Sequence, residues 1–132
     1  MRITKRIEFD AAHRLLGYDG PCARLHGHRY ILEVTLEGTR LDKLGMLEDF
    51  KSVSSKLKEG PFASWDHRTL LNNSDPFVFV ISDAYLMDKN PTAENMLLEF
   101  VEKWGYFFNT AFTRLHSVKL FETPDCSAEL IL

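Results

Sequence analysis

Ile3-Thr4-Lys5-Arg6-Ile7-Glu8-Phe9-Asp10-Ala11-Ala12-His13 is the stretch on which the fold turns. Taken two residues at a time, one set holds Ile3, Ile7, Phe9, Ala11 and His13, and the other holds Arg2, Thr4, Arg6, Glu8 and Asp10. Successive side chains of a strand point to opposite faces, so this alternation predicts a strand with one buried face, and His13 ends its apolar row. The next alternating stretch reverses the order: His26, His28, Tyr30, Leu32, Val34 and Leu36 share one face, while Arg29, Glu33, Thr35 and Glu37 share the other. Here the histidines open the row. Paired as a hairpin across residues 15–24, the two strands bring three imidazoles to one end of one sheet.

One histidine on an apolar face is usually a hydrogen-bonded core residue, and an isolated His-x-His carries little information. Three of them at matching strand ends, with i and i+2 pointing the same way, form a donor set suited to Zn²⁺.

Outward from the hairpin, Met46-Leu47-Glu48-Asp49 leads into Phe50, Val53 and Leu57 at helical spacing, with Asp49 as the expected N-cap and Gly60-Pro61 as the expected end. A longer helix is expected from Pro91-Thr92-Ala93-Glu94, with Met96, Leu97, Phe100, Val101, Trp104, Phe108 and Phe112 as a core-facing stripe. Strand character returns over 117–123 and 127–132 around the Pro124-Asp125 turn. The order ββααββ predicts an α+β domain over 1–132, a four-stranded antiparallel sheet with two helices on one face. Ile31 and Phe121 make the other face partly apolar, so subunits are expected to join sheet edges into a closed barrel. Residues 73–90 contain Asp75-Pro76-Phe77-Val78-Phe79-Val80-Ile81, too apolar for a solvated loop and readable as helix or strand.

With 132 residues, 45% of them apolar, the chain can bury one real core. A net charge of -3 argues against nucleic acid as a partner. No apolar run approaches 18 residues and the first residues alternate charge with apolarity, so no membrane span or secretory signal is expected and the location is expected to be cytoplasmic. Cys22 and Cys126 are the two cysteines; no disulfide is expected, and Cys126 is read as a small buried residue of the last strand.

A His₃ zinc site leaves a fourth position for water or substrate. Cys22, four residues before His26, either closes that position as a structural ligand or stands free as a catalytic thiol. Asp66-His67 is either a solvated loop pair or an acid–base partner for such a thiol. Glu122 shares a strand face with Val118 and Leu120. It has either escaped to solvent at the strand end or is held inside to accept paired N–H donors from an amino-pyrimidinone ring. Arg14, Arg24 and Arg29 flank the histidines and would suit a phosphorylated substrate, although most such arginines are simply solvated.

Six segments in order carry a resemblance: Phe9-Asp10-Ala11-Ala12-His13-Arg14-Leu15, Cys22-Ala23-Arg24-Leu25-His26-Gly27-His28, Gly45-Met46-Leu47-Glu48-Asp49-Phe50, Asp66-His67-Arg68-Thr69-Leu70-Leu71-Asn72, Pro91-Thr92-Ala93-Glu94-Asn95 and Glu122-Thr123. From residue 9 to 123 the chain resembles the 6-pyruvoyl-tetrahydropterin synthase family, and its Cys-x₃-His-Gly-His spacing is most similar to the bacterial 6-carboxy-5,6,7,8-tetrahydropterin synthase branch of queuosine biosynthesis. The resemblance implies a tunnelling fold built into trimeric barrels stacked as a homohexamer, a dimer of trimers, and a zinc lyase acting on 7,8-dihydroneopterin triphosphate. It implies zinc on His13, His26 and His28, Cys22 as proton acceptor, Asp66 and His67 supplied across a subunit interface, and Glu122 with Thr123 anchoring the pterin. Trp65 stands where a smaller aliphatic residue is more usual, which implies an altered pocket width.

Overall fold

The computed structural model describes residues 1–132. The hairpin forms as its alternation demands. Strand β1 (Arg2–His13) and strand β2 (His26–Glu37) pair antiparallel over their full lengths, from Arg2 opposite Glu37 to His13 opposite His26. Strand β5 (Arg114–Thr123) adds to β2, and strand β6 (Cys126–Ile131) adds to β5, both antiparallel.

Those four strands are the expected sheet, and two short strands extend it. Strand β3 (Arg68–Asn72) lies parallel to the end of β1, with Leu70 opposite His13, and strand β4 (Tyr85–Met87) lies parallel to β3. The order across the six-stranded sheet is β4-β3-β1-β2-β5-β6. Pieces of five and three residues are too short to show a period, so the sequence pattern passed over them.

Helix α1 (Phe50–Leu57) begins at Asp49, whose side chain accepts from the Lys51 N–H at 2.8 Å. Gly60-Pro61 does not end it. The chain continues through a widened turn (Lys58–Phe62) into a last helical turn, α2 (Ala63–Trp65). Gly60 is required there: a Cβ would stand 2.9 Å from Trp104 Cδ1. Helix α3 (Ala93–Trp104) is capped by Thr92, whose hydroxyl accepts from the Asn95 N–H at 3.3 Å. It passes into a tight 3₁₀ turn (Gly105–Phe108), so the expected stripe stops at Phe108, and Phe112 lies beyond it, 43% exposed.

The buried row of the sheet, Phe9, Tyr30, Leu32, Val34, Leu36, Val118 and Leu120, packs against Val53 and Leu57 of α1 and Met96, Leu97, Phe100 and Trp104 of α3. Each such large side chain contributes about 1.5–3 kcal/mol by leaving water. Trp65 is fully buried, its ring 5.8 Å from Phe9 and 5.1 Å from Trp104, so its bulk fills the core. Ile31 and Phe121 sit directly opposite each other on the other face, both half-buried.

Two apolar expectations are corrected. Phe79 and Val80, in a 3₁₀ turn (Pro76–Phe79) and just after it, are 89% and 77% exposed, so that part of 73–90 projects outward. Cys126 is exposed, because it is the first residue after the Pro124-Asp125 turn, on the edge strand β6 whose outer edge is unpaired.

Candidate functional site

The register of the hairpin builds the site. His13 faces His26 across the ladder and His28 faces Ala11, so the three rings meet at one end of the buried face, with centroids 4.5–5.2 Å apart. One nitrogen from each ring falls within a cluster whose members are all within 4.8 Å of one another.

Their hydrogen bonds fix the tautomers. His13 Nδ1 is 2.7 Å from the Pro91 carbonyl, and His26 Nδ1 is 2.8 Å from the Arg24 carbonyl. A carbonyl only accepts, so both Nδ1 atoms carry the proton and both Nε2 atoms present lone pairs. Those two Nε2 atoms stand 3.1 Å apart, and His28 Nε2 is buried without a hydrogen-bond partner. Glu122 Oε1 joins them, 3.2 Å from His13 Nε2 and 3.5 Å from His28 Nε2. Electron pairs crowded this way repel unless a cation lies among them. Tetrahedral Zn–N bonds of about 2.05 Å require N···N separations of about 3.3 Å, which the His13–His26 pair approaches at 3.1 Å, with the third ring's nitrogen within 4.8 Å of both. The residues therefore fit a zinc ion, with the carbonyls of Pro91 and Arg24 orienting two of the ligands. Burial holds the pKa of His13 and of His28 below the ordinary histidine value, outweighing the opposing pull of Glu122, so these two rings are neutral and ready to ligate at neutral pH.

A cavity of about 270 Å³ opens beside the triad, lined by His13, Cys22, Thr92, Glu94, Glu122 and Cys126 among others. The Cys22 sulfur is not part of the nitrogen cluster; it looks onto the cavity from a 3₁₀ turn (Pro21–Ala23). The geometry thus favours the free thiol over the closed Cys-His₃ centre. Sequence reasoning missed Glu94, taken only as helix-start composition, and the cavity position of Cys126. Thr123 does not line the cavity: its hydroxyl accepts from the Cys126 N–H at 3.1 Å and closes the β5–β6 turn.

Asp66 and His67 are brought together, but not with Cys22. Asp66 Oδ1 accepts from the Asp10 N–H at 3.0 Å, the His67 N–H donates to the Asp10 carbonyl at 2.7 Å, and His67 Nδ1 lies 2.8 Å from Asp66 Oδ2. His67 holds φ at 56°, a left-handed conformation that is uncommon outside glycine and costs on the order of 1 kcal/mol. The Asp66 carboxylate orients the ring, whose side chain is 77% exposed, and His67 lines a depression other than that of Cys22, with Asp10, Ala12, Gly27, His28 and Arg29.

The three flanking arginines differ. Arg29 pairs with Asp10 through two contacts of 3.2 Å, and Arg14 lies 3.0 Å from the fully buried Asp75 and stacks on Phe77. Arg24 is exposed with no carboxylate partner.

A family model described as 6-pyruvoyl tetrahydropterin synthase matches residues 2–131. The chain belongs to the 6-pyruvoyl tetrahydropterin synthase family. A protein of Rickettsia bellii named 6-carboxy-5,6,7,8-tetrahydropterin synthase is 36% identical over 137 residues, covering 98% of this chain and 99% of its own. Among solved structures of the same fold, an uncharacterized protein of Wolinella succinogenes superposes with a TM-score of 0.84 at 18% identity, covering 99% of this chain and 97% of its own. The Caenorhabditis elegans 6-pyruvoyl tetrahydropterin synthase superposes at 0.77 with 22% identity, covering 100% and 95%. The chain is thus a pterin synthase of this family, with three histidines placed to hold a metal. No helix is long and apolar enough to cross a membrane.

Proposed function

We propose that the protein, a single cytoplasmic domain over 1–132, is a zinc-dependent carbon–oxygen lyase that converts 7,8-dihydroneopterin triphosphate and water to 6-carboxy-5,6,7,8-tetrahydropterin, releasing triphosphate and acetaldehyde, in the route to queuosine. The observation that carries the proposal is the meeting of three imidazoles, one with a buried and unpartnered Nε2, beside a cavity that also holds two thiols and two carboxylates. The carboxy product is favoured by the 36% identity to the Rickettsia bellii protein of that name and by the Cys-x₃-His-Gly-His spacing.

His13, His26 and His28 would hold the zinc, which supplies Lewis acidity toward the hydroxyls of the substrate side chain. Cys22 would accept a carbon-bound proton from the part of the substrate that lies against it in the cavity. Glu122, beside two ligand nitrogens, and Glu94 are the two cavity carboxylates that would be available to an amino-pyrimidinone edge. Arg24 is the free guanidinium for the triphosphate.

Asp66 and His67 would act in trans. Within one subunit they lie on a different depression from Cys22, and strands β4 and β6 each leave one edge unpaired. Closing those edges into a barrel, trimeric and stacked as a hexamer, would carry the Asp66–His67 pair to a neighbour's thiol. Incubating the zinc-loaded protein with dihydroneopterin triphosphate and identifying products by mass spectrometry tests the proposal. A carboxytetrahydropterin with acetaldehyde supports it, a pyruvoyl product moves the protein to the other branch, and no consumption overturns it.

A further inference from the structure

We propose that Asn90 is a positioning residue that tethers the Cys22 loop to the start of α3, next to the carbonyl that orients the metal ligand His13. The inference rests on the reading of Cys22 as proton acceptor. The Asn90 side chain grips Leu16 from both sides: Oδ1 accepts from the Leu16 N–H at 3.0 Å, and Nδ2 donates to the Leu16 carbonyl at 2.9 Å. At the same point the Leu15 N–H donates to the Cys22 carbonyl at 2.9 Å, closing the loop onto its own base. The remaining hydrogen bonds of residues 15–23 are local, Tyr18 to Leu15, Ala23 to Gly20 and Arg24 to Pro21. The two Asn90 bonds are thus the only ones that hold this loop to a distant part of the chain.

Asn90 is itself fixed. Its carbonyl accepts from the Thr92 N–H at 2.8 Å and from Asn95 Nδ2 at 2.9 Å, at the capped start of α3. The next residue, Pro91, offers the carbonyl that accepts from His13 Nδ1. Two consecutive residues therefore set two things at once: the ring orientation of a metal ligand, through the main chain, and the base of the thiol loop, through a side chain. The dipeptide thereby links the base of the thiol loop to the ring of a metal ligand. Asparagine suits the task because it presents one acceptor and one donor side by side, the complement of a peptide N–H and C=O. Aspartate keeps the acceptor and loses the donor. This also gives the end of the 73–90 segment a role that its composition does not reveal.

Asn90→Ala tests the tether through three readouts on the zinc-loaded enzyme: kcat and KM, zinc per protomer, and the rate of Cys22 alkylation by iodoacetamide resolved from Cys126 by peptide mass spectrometry. The expected result is a kcat lower by about 10- to 100-fold, as for a reacting group displaced by a fraction of an ångström to an ångström. KM and zinc content stay near wild type, and Cys22 alkylates several-fold faster because its loop has come loose. Unchanged alkylation and turnover overturn the proposal, as does activity lost only in parallel with zinc. If Asn90→Ala does not fold, Asn90→Asp keeps the volume and the bond from the Leu16 N–H but faces the Leu16 carbonyl with a second acceptor; it should shift the same readouts in the same direction, and no shift overturns the tether. Alkylation is read without substrate. Faster alkylation with undiminished turnover would therefore support the tether and fail the proton-acceptor role, whereas unchanged alkylation fails the tether whatever the reaction.

Discussion

The β1–β2 ladder treats polar groups in opposite ways at its two ends. At the Arg2–Glu37 end they lie on the open face and satisfy one another: Glu37 takes Arg2 at 2.9 Å, Arg114 at 2.5 Å and His116 at 3.4 Å, and the Arg114 and Arg2 guanidiniums hold its carboxyl down at about 2. At the His13–His26 end they lie on the buried face and aim lone pairs at one another. Pairing of the first kind serves local order and is worth little at an exposed site. Convergence without partners costs stability, and a fold keeps it where a ligand resolves the conflict.

Breaking the buried end should have the largest effect. His28→Ala or His26→Ala is expected to take zinc from about one per protomer to near none and to abolish turnover, while the zinc-free protein loses little stability, since the substitution removes a crowded lone pair. Metal analysis beside thermal melts of the zinc-free forms checks this; a strongly destabilised zinc-free His28→Ala would contradict the contrast. Next comes Cys22→Ala, expected to lower kcat by about 10²- to 10⁴-fold with zinc retained. Loss of zinc together with folding would instead assign the thiol to the metal.

At the far end of the same buried row, Leu36 is fully covered. Leu36→Ala should cost about 2–5 kcal/mol in denaturant unfolding and leave zinc per protomer unchanged. The pH dependence separates the ends further. His13 and His28 have folded pKa values below the unfolded value near 6.5, so between those values the unfolded chain binds more protons. Stability of the zinc-free protein is therefore complete above about pH 6.5 and declines as pH falls below it, by at most about 1.4 kcal/mol per pH unit for each ring. Glu37 has its pKa lowered, so its contribution is present above about pH 4.5 and is lost as pH falls toward 2. The smallest effect is Glu37→Gln, which should erase the acid-range component of a pH–stability curve and leave zinc content and kcat as they were.

What the sequence made legible follows from what alternation can carry. A 12-residue strand writes its face into every second residue, so the hairpin, its register and the three histidines were readable from Ile3 to Leu36. The parity of Glu122 was equally plain, although its closeness to two ligand nitrogens depends on β5 pairing with β2 at Ile31–Phe121, a long-range register. Strands β3 and β4 were invisible because parallel pairing over a few residues leaves no period. Cys126 was misread because strand character alone does not say which strand ends the sheet. Asn90 gave no signal, since its partner lies 74 positions away.

Zinc X-ray absorption on the loaded wild-type protein is the most direct measure of whether the imidazoles alone provide the protein ligands. A first shell of nitrogen and oxygen scatterers near about 2.0 Å, with no sulfur near about 2.3 Å, is the expected result. A sulfur at that distance would put Cys22 on the metal and remove it as the proton acceptor.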